Sequence, residues 1–162
     1  MPKKTTIYIF GNELLDFDNL PLKLAPKLKK LFPDINFIIQ DPNENLKFTR
    51  RIRQSGGVGG PDMVDKLIII DTVMGIKNIA VICDIKKLET EKIYSMHDFD
   101  LAFNLKLLKK IGRLGKLAIL GVPPDYSEKK ALRELKKMIG KITSNSLSKN
   151  ARRRTYKGRK RG

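Results

Sequence analysis

The chain carries one cysteine, Cys83, and one histidine, His97, and its acidic residues number only half its basic ones, 17 against 34. A single thiol closes no intramolecular disulfide, so a reducing compartment is expected. No apolar run approaches the roughly 20 residues that a bilayer crossing needs, and no membrane partner is expected. Met-Pro-Lys-Lys-Thr-Thr at the start leads into a strand-like run without a secretory apolar core or cleavage site, which points to the cytoplasm. A Gly-x-Ser-x-Gly elbow is absent, which argues against a serine hydrolase. Cys83 follows Val81 and Ile82 and reads as an inert core thiol in mid-strand. Gly56-Gly-Val-Gly-Gly60 lacks the Gly-Lys-Ser/Thr ending of a phosphate-binding loop and follows a polar segment, not a strand.

What is present suits one compact unit. The 162 residues are 41% hydrophobic and 31% charged, ordinary values for a globular chain with a crowded surface. The net charge of +17 is unevenly spread. Lys149, Arg152, Arg153, Arg154, Lys157, Arg159, Lys160 and Arg161 supply eight of those charges in an acid-free tail, leaving +9 on the rest. The tail lacks apolar periodicity and is expected to be flexible. The predicted organisation is therefore an α/β domain over residues 1–145 and a basic tail over 146–162. Such a tail meets nucleic acid or an acidic protein surface by counterion release.

Period-two and period-3.6 patterns place the elements. Thr6–Phe10, Ile35–Ile39, Leu67–Ile70, Ile79–Cys83 and Leu117–Leu120 read as strands. Helices are predicted over about Leu20–Phe32, Asn45–Arg53, Ser95–Ile111 and Ser127–Ile142, with a flexible glycine break at 55–61. Pro26 is expected to kink the first helix or delay its start. Phe99 and Phe103, one helical turn apart, read as core. Leu67–Ile70 is continuously apolar, as befits a central strand covered on both faces. The short link Met74–Asn78 favours an antiparallel partner next. These elements predict a three-layer α/β sandwich: a mostly parallel five-stranded sheet with one antiparallel strand and helices on both faces.

In open parallel sheets, ligands collect outside the carboxyl ends of the strands. Asp71 closes the central strand, and Asp18 lies in the loop leaving the first. His97 follows the antiparallel strand, and the span Asp84–Met96 reaches at most about 40 Å, enough to return it to that edge. Two carboxylates and an imidazole there suit a borderline divalent ion such as nickel or zinc with coordination positions left open. Each residue also has a plainer role: Asp18 as a helix cap, Asp71 as a strand closure, His97 beside a Ser95–Asp98 capping box.

Gly11-Asn-Glu-Leu-Leu-Asp-Phe-Asp18, Leu67-Ile-Ile-Ile-Asp71, Ser95-Met-His-Asp-Phe-Asp-Leu101 and Leu117-Ala-Ile-Leu-Gly-Val-Pro123 occur in that order. Together they resemble the motif blocks of the hydrogenase maturation protease family, over about Ile7 to Ile142. The resemblance implies a peptidase, classed as aspartic-type, that removes the C-terminal extension of a nickel–iron hydrogenase large-subunit precursor. It puts the family's metal-contacting positions on Asp18, Asp71 and His97. It also implies that the nickel arrives with the precursor, that no metal is held permanently, and that the protease is a monomer. Two departures stand out. Only Gly11-Asn12 remains of a Gly-x-Gly-Asn turn, and Asp41-Pro-Asn-Glu44 replaces Asp-Gly-Gly-Thr, before the inserted Arg50-Arg-Ile-Arg53. A second reading, a non-enzymatic basic module, would bind RNA or an assembly partner through Arg50–Arg53 and the tail.

Overall fold

The computed structural model describes residues 5–40, 64–90, 94–95, 98–112 and 114–157. Its strands are β1 (Thr6–Phe10), β2 (Asn36–Gln40), β3 (Val64–Met74), β4 (Ala80–Ile82), β5 (Tyr94–Ser95) and β6 (Leu114–Val122). The helices are α1 (Leu20–Leu31), α2 (Ile85–Thr90), α3 (Asp98–Lys110) and α4 (Glu128–Lys157). Five strands form one sheet in the order β2-β1-β3-β6-β4, and the two-residue β5 pairs with the end of β3 beside this path. β1 is parallel to β2 and β3, and β3 is parallel to β6. β4 runs antiparallel to β6. The predicted α/β sandwich is the observed one.

Alternation along the strands divides the core into two layers. Tyr8, Phe10, Leu67, Ile69, Val73 and Ile119 face one way and pack on Ile85 of α2 and on Leu105 and Leu108 of α3. Ile7, Ile9, Ile68, Ile70, Leu120 and Val122 face the other way, onto α1 and α4, through Leu24, Leu28, Ala131, Leu135 and Ile139. β3 is thus buried on both faces, which its continuous apolar run required. Side chains of Lys27 and Glu128 pair on the surface where α1 meets α4.

Several local expectations give way to tertiary context. β4 is antiparallel, but its neighbour is β6 rather than β3. The connector 75–79 crosses the end of β6, a lateral step of about 9.6 Å that five residues easily span. Gly121 permits the crossing: a Cβ there would sit 2.9 Å from Val73 Cγ2 and 3.2 Å from Ile76 Cδ1. Gly75 starts the connector at φ 83°, a conformation that favours glycine. Pro26 lies inside an unbroken α1, exposed on its outer face.

Asp71 does not close its strand, because β3 runs three residues further, to Met74. Ser95 belongs to β5 and not to a helix cap, and α2 occupies a stretch read as loop. Phe103 is 65% exposed, since Leu105 and Leu108 are the residues of α3 that face the sheet. Positions 103 and 105 are about 200° apart on a helix, so both cannot be core. Cys83 lies just past β4 and is exposed, not core. Helix α4 continues through the 145/146 boundary to Lys157, where the basic tail was expected to be flexible. Nothing between Thr143 and Lys157 is proline or glycine, so no residue there ends the helix. The predicted helix Asn45–Arg53, the glycine break 55–61 and the side chain of Phe99 lie outside the described residues.

Candidate functional site at the carboxyl edge

The loop from β1 to α1 owes its shape to Gly11 and Asn12. Asn12 N–H donates to the carbonyl of Asp18 at 3.2 Å, and Asp18 N–H donates to the carbonyl of Leu15 at 2.9 Å. The Asn12 side-chain oxygen accepts from Leu14 N–H at 3.0 Å, a local Asx turn. A Cβ on Gly11 would lie 2.8 Å from the Asp18 carbonyl oxygen. Backbone cannot yield there as a side chain could, so the loop closes only over glycine. The Gly-Asn pair therefore folds the loop back and presses Asp18 against the end of β1.

Asp18 is fully buried, both carboxylate oxygens included. Capping of α1 falls to Asn19, which makes no side-chain cap bond, so Asp18 stands one residue ahead of the helix. The amino end of α1 carries partial positive charge from its unpaired N–H groups, which favours a carboxylate at that position.

Asp71 is also fully buried, in mid-strand. Its Oδ1 accepts a hydrogen bond from Thr72 N–H at 2.9 Å. By alternation it shares a face with Ile69 and Val73, and its register partner in β6 is Gly121, which presents no side chain. The register Ile9↔Ile70 between β1 and β3 continues to Phe10 beside Asp71 and Gly11 beside Thr72. Asp18, packed on Gly11, is therefore held one strand away from Asp71, at the same edge of the sheet.

Other buried polar groups gather here. Among the described residues, the buried polar or charged ones are Asp18, Asn19, Gln40, Asp71 and Thr72, and all of them stand at the carboxyl ends of β1, β2 and β3 or in the loop above. Thr72 Oγ1 finds no hydrogen-bond partner among the described residues. Gln40 and Thr72 escaped the sequence reading; each is a polar residue that ends or extends an apolar strand run, the only signal available. Leu14, Phe17 and Met74 are exposed at this edge, Leu14 by 90%, among the exposed acids Glu13 and Asp16.

His97 lies outside the described residues. Its chain neighbourhood is anchored at Ser95, which pairs with Val73, two residues beyond Asp71. The structure thus places Asp18 and Asp71 at the same edge of the sheet, and among the described residues no three His, Cys, Asp or Glu side chains form a metal-binding group. No described helix is long and apolar enough to cross a membrane. Comparison of the chain with protein-family models, with curated proteins and with solved structures found no match in any of the three.

Proposed function

We propose that the chain is a cytoplasmic processing endopeptidase that trims the C-terminal extension of a nickel–iron hydrogenase large-subunit precursor. One observation carries the reading. Asp18 and Asp71, far apart in sequence, are both withdrawn from water at the carboxyl edge, one in the loop after β1 and the other on β3. Such a pair is suited to receiving a cation, and a nickel carried in by the substrate fits an oxygen-rich set completed by an imidazole. His97 is the imidazole the motif supplies, on the segment that follows Ser95.

In this reading the carboxylates hold the precursor's metal-bearing segment, and the exposed Leu14, Phe17 and Met74 receive the chain beside it. A carboxylate at the edge takes a proton from the attacking water as the C–N bond is cut and returns it to the departing amine. The test uses nickel-loaded precursor and the variants Asp18→Asn, Asp71→Asn and His97→Ala, each checked for a wild-type unfolding transition. Loss of trimming in all three supports the reading; normal trimming by folded variants ends it.

The reach of α4 to Lys157 favours a second reading, because it sets Lys149, Arg152, Arg153, Arg154 and Lys157 on one helix. A basic helix binds RNA with steep salt dependence. A chain ending at Ser148 should then lose RNA affinity, and unchanged affinity would remove this alternative.

A further inference from the structure

The opposite, amino edge of the sheet holds a feature that the endopeptidase reading does not use. β6 spans nine residues, but on its outer side β4 pairs only with Ile119, Leu120 and Gly121. From Leu114 to Ala118 the outer edge has no strand beside it among the described residues. In a ladder, alternate residues turn N–H and C=O toward each neighbour. This stretch, about 16 Å long at roughly 3.3 Å per residue, therefore offers main-chain donors and acceptors that no strand among the described residues takes up.

The open edge forms the wall of a groove of about 400 Å³. Val81, Ile85 and Leu117 contribute apolar lining, and Ile142 of α4 closes one side. Gly115, exposed and without a side chain, lets another backbone come close. The charged lining is all of one sign: Lys66, Lys109 and Lys116. Lys66 and Lys116 are register partners on β3 and β6, so two lysines leave one face of the sheet from neighbouring positions, and like charges so placed cost stability. Lys66 also donates to the carbonyl of Ile142 at 3.3 Å, and Lys109 is 3.9 Å from Asp84.

We propose that this groove binds an extended acidic peptide segment, which adds as a strand along Leu114–Ala118 of β6 with its carboxylates toward Lys66 and Lys116. Main-chain bonds to the open edge supply affinity, and the lysines and apolar floor select alternating acidic and apolar side chains. Charge complementarity identifies the occupant, because among the described residues every charged side chain lining the groove is a lysine. The site lies across the sheet from Asp18 and Asp71 and does not depend on the endopeptidase reading. The plainer role for Lys116 is protection of a bare edge against aggregation, which lysine serves well.

Cys83, the chain's single cysteine, is exposed in this groove and reports on its occupancy. The probe is the capped octapeptide Ac-(Glu-Val)4-NH2, added to the full chain while N-ethylmaleimide alkylates Cys83. At ten times its Kd the peptide should slow alkylation about tenfold, and the slowing should saturate. Amide exchange at Leu114–Ala118 should slow in parallel. The same peptide N-methylated at alternate residues keeps its charge but loses one hydrogen-bonding edge, and it should give no protection. The variant Lys66→Glu/Lys116→Glu should lose the effect and accept Ac-(Lys-Val)4-NH2 instead. If that variant fails to fold, Lys116→Ala, at an exposed position, should still weaken binding. Equal protection by the methylated peptide, or none by the parent, overturns the proposal and leaves the lysines as edge protection. Shielding by a single-stranded oligonucleotide and not by the peptide overturns it in favour of nucleic acid.

Discussion

The two edges of one sheet are built on opposite plans. At the carboxyl edge the chain turns tightly, and Gly11 and Gly121 lie where a single added carbon would strike a neighbour. Polar groups there are buried, and the amino ends of α1 and α4 lie nearby in the chain. At the amino edge β6 outruns its partner, lysines are exposed around a groove, and the thiol is exposed. The difference follows from parallel topology. Helices that follow parallel strands begin at the carboxyl edge, so partial positive charge collects there, and buried acids are tolerated. The amino edge receives the carboxyl ends of α1 and α3 over short returns, and among the described residues β6 has no outer partner there.

Substitution can break that contrast, most strongly at the buried acids. Asp71→Asn preserves shape and removes charge, so precursor trimming should fall by about 10²–10⁴-fold, measured by a mobility shift of the precursor. A folded Asp71→Asn variant that trims at the normal rate would falsify any role of this edge in chemistry. Gly11→Ala comes next: its methyl meets the Asp18 carbonyl, and overpacking of this kind costs about 1–3 kcal/mol in chemical denaturation. It should also lower trimming at temperatures where the chain is still folded, because Asp18 must shift. Ser127 caps α4 through its hydroxyl, which accepts from Lys130 N–H at 3.3 Å. Removing it as Ser127→Ala should cost about 1 kcal/mol, read as a lower denaturant midpoint with an unchanged slope. On the amino side the contrast predicts near silence. Lys116→Ala and Phe103→Ser, at exposed positions, should move stability by no more than about 0.5 kcal/mol. A loss of several times that at Lys116 would mean that the edge is packed rather than open.

How much of this was legible beforehand varies with range. The five principal strands and α1, α3 and α4 were each visible in apolar periodicity, because burial on one or both faces writes itself into local spacing. Asp18 and Asp71 were legible as candidates because one lies in the loop that leaves the first strand and the other follows an apolar run, where ligands collect in a parallel sheet. Gln40 and Thr72 were not, since a lone polar residue beside a strand has many uses. α3 was misread in detail: Phe103 and Leu107 are more conspicuous than Leu105, yet Leu105 is the buried one. Both stripes have helical spacing, and only packing against β6 and α2 chooses between them. The exposure of Cys83 and the open edge of β6 depend on where β4 stops, which its own residues, all apolar, do not record.

By itself the amino-acid sequence determined the five principal strands, α1, α3 and α4, the layer count and the short list of acids, because each arises from contacts within a few residues or from a pattern that repeats every two or 3.6 positions. Only the tertiary structure decided the neighbours: β6 between β3 and β4, Asp18 pressed on Gly11 beside Thr72, and Lys66 abreast of Lys116. Those relations join residues tens of positions apart, and strand order is settled by how whole layers pack and how connectors cross, which no local spacing encodes.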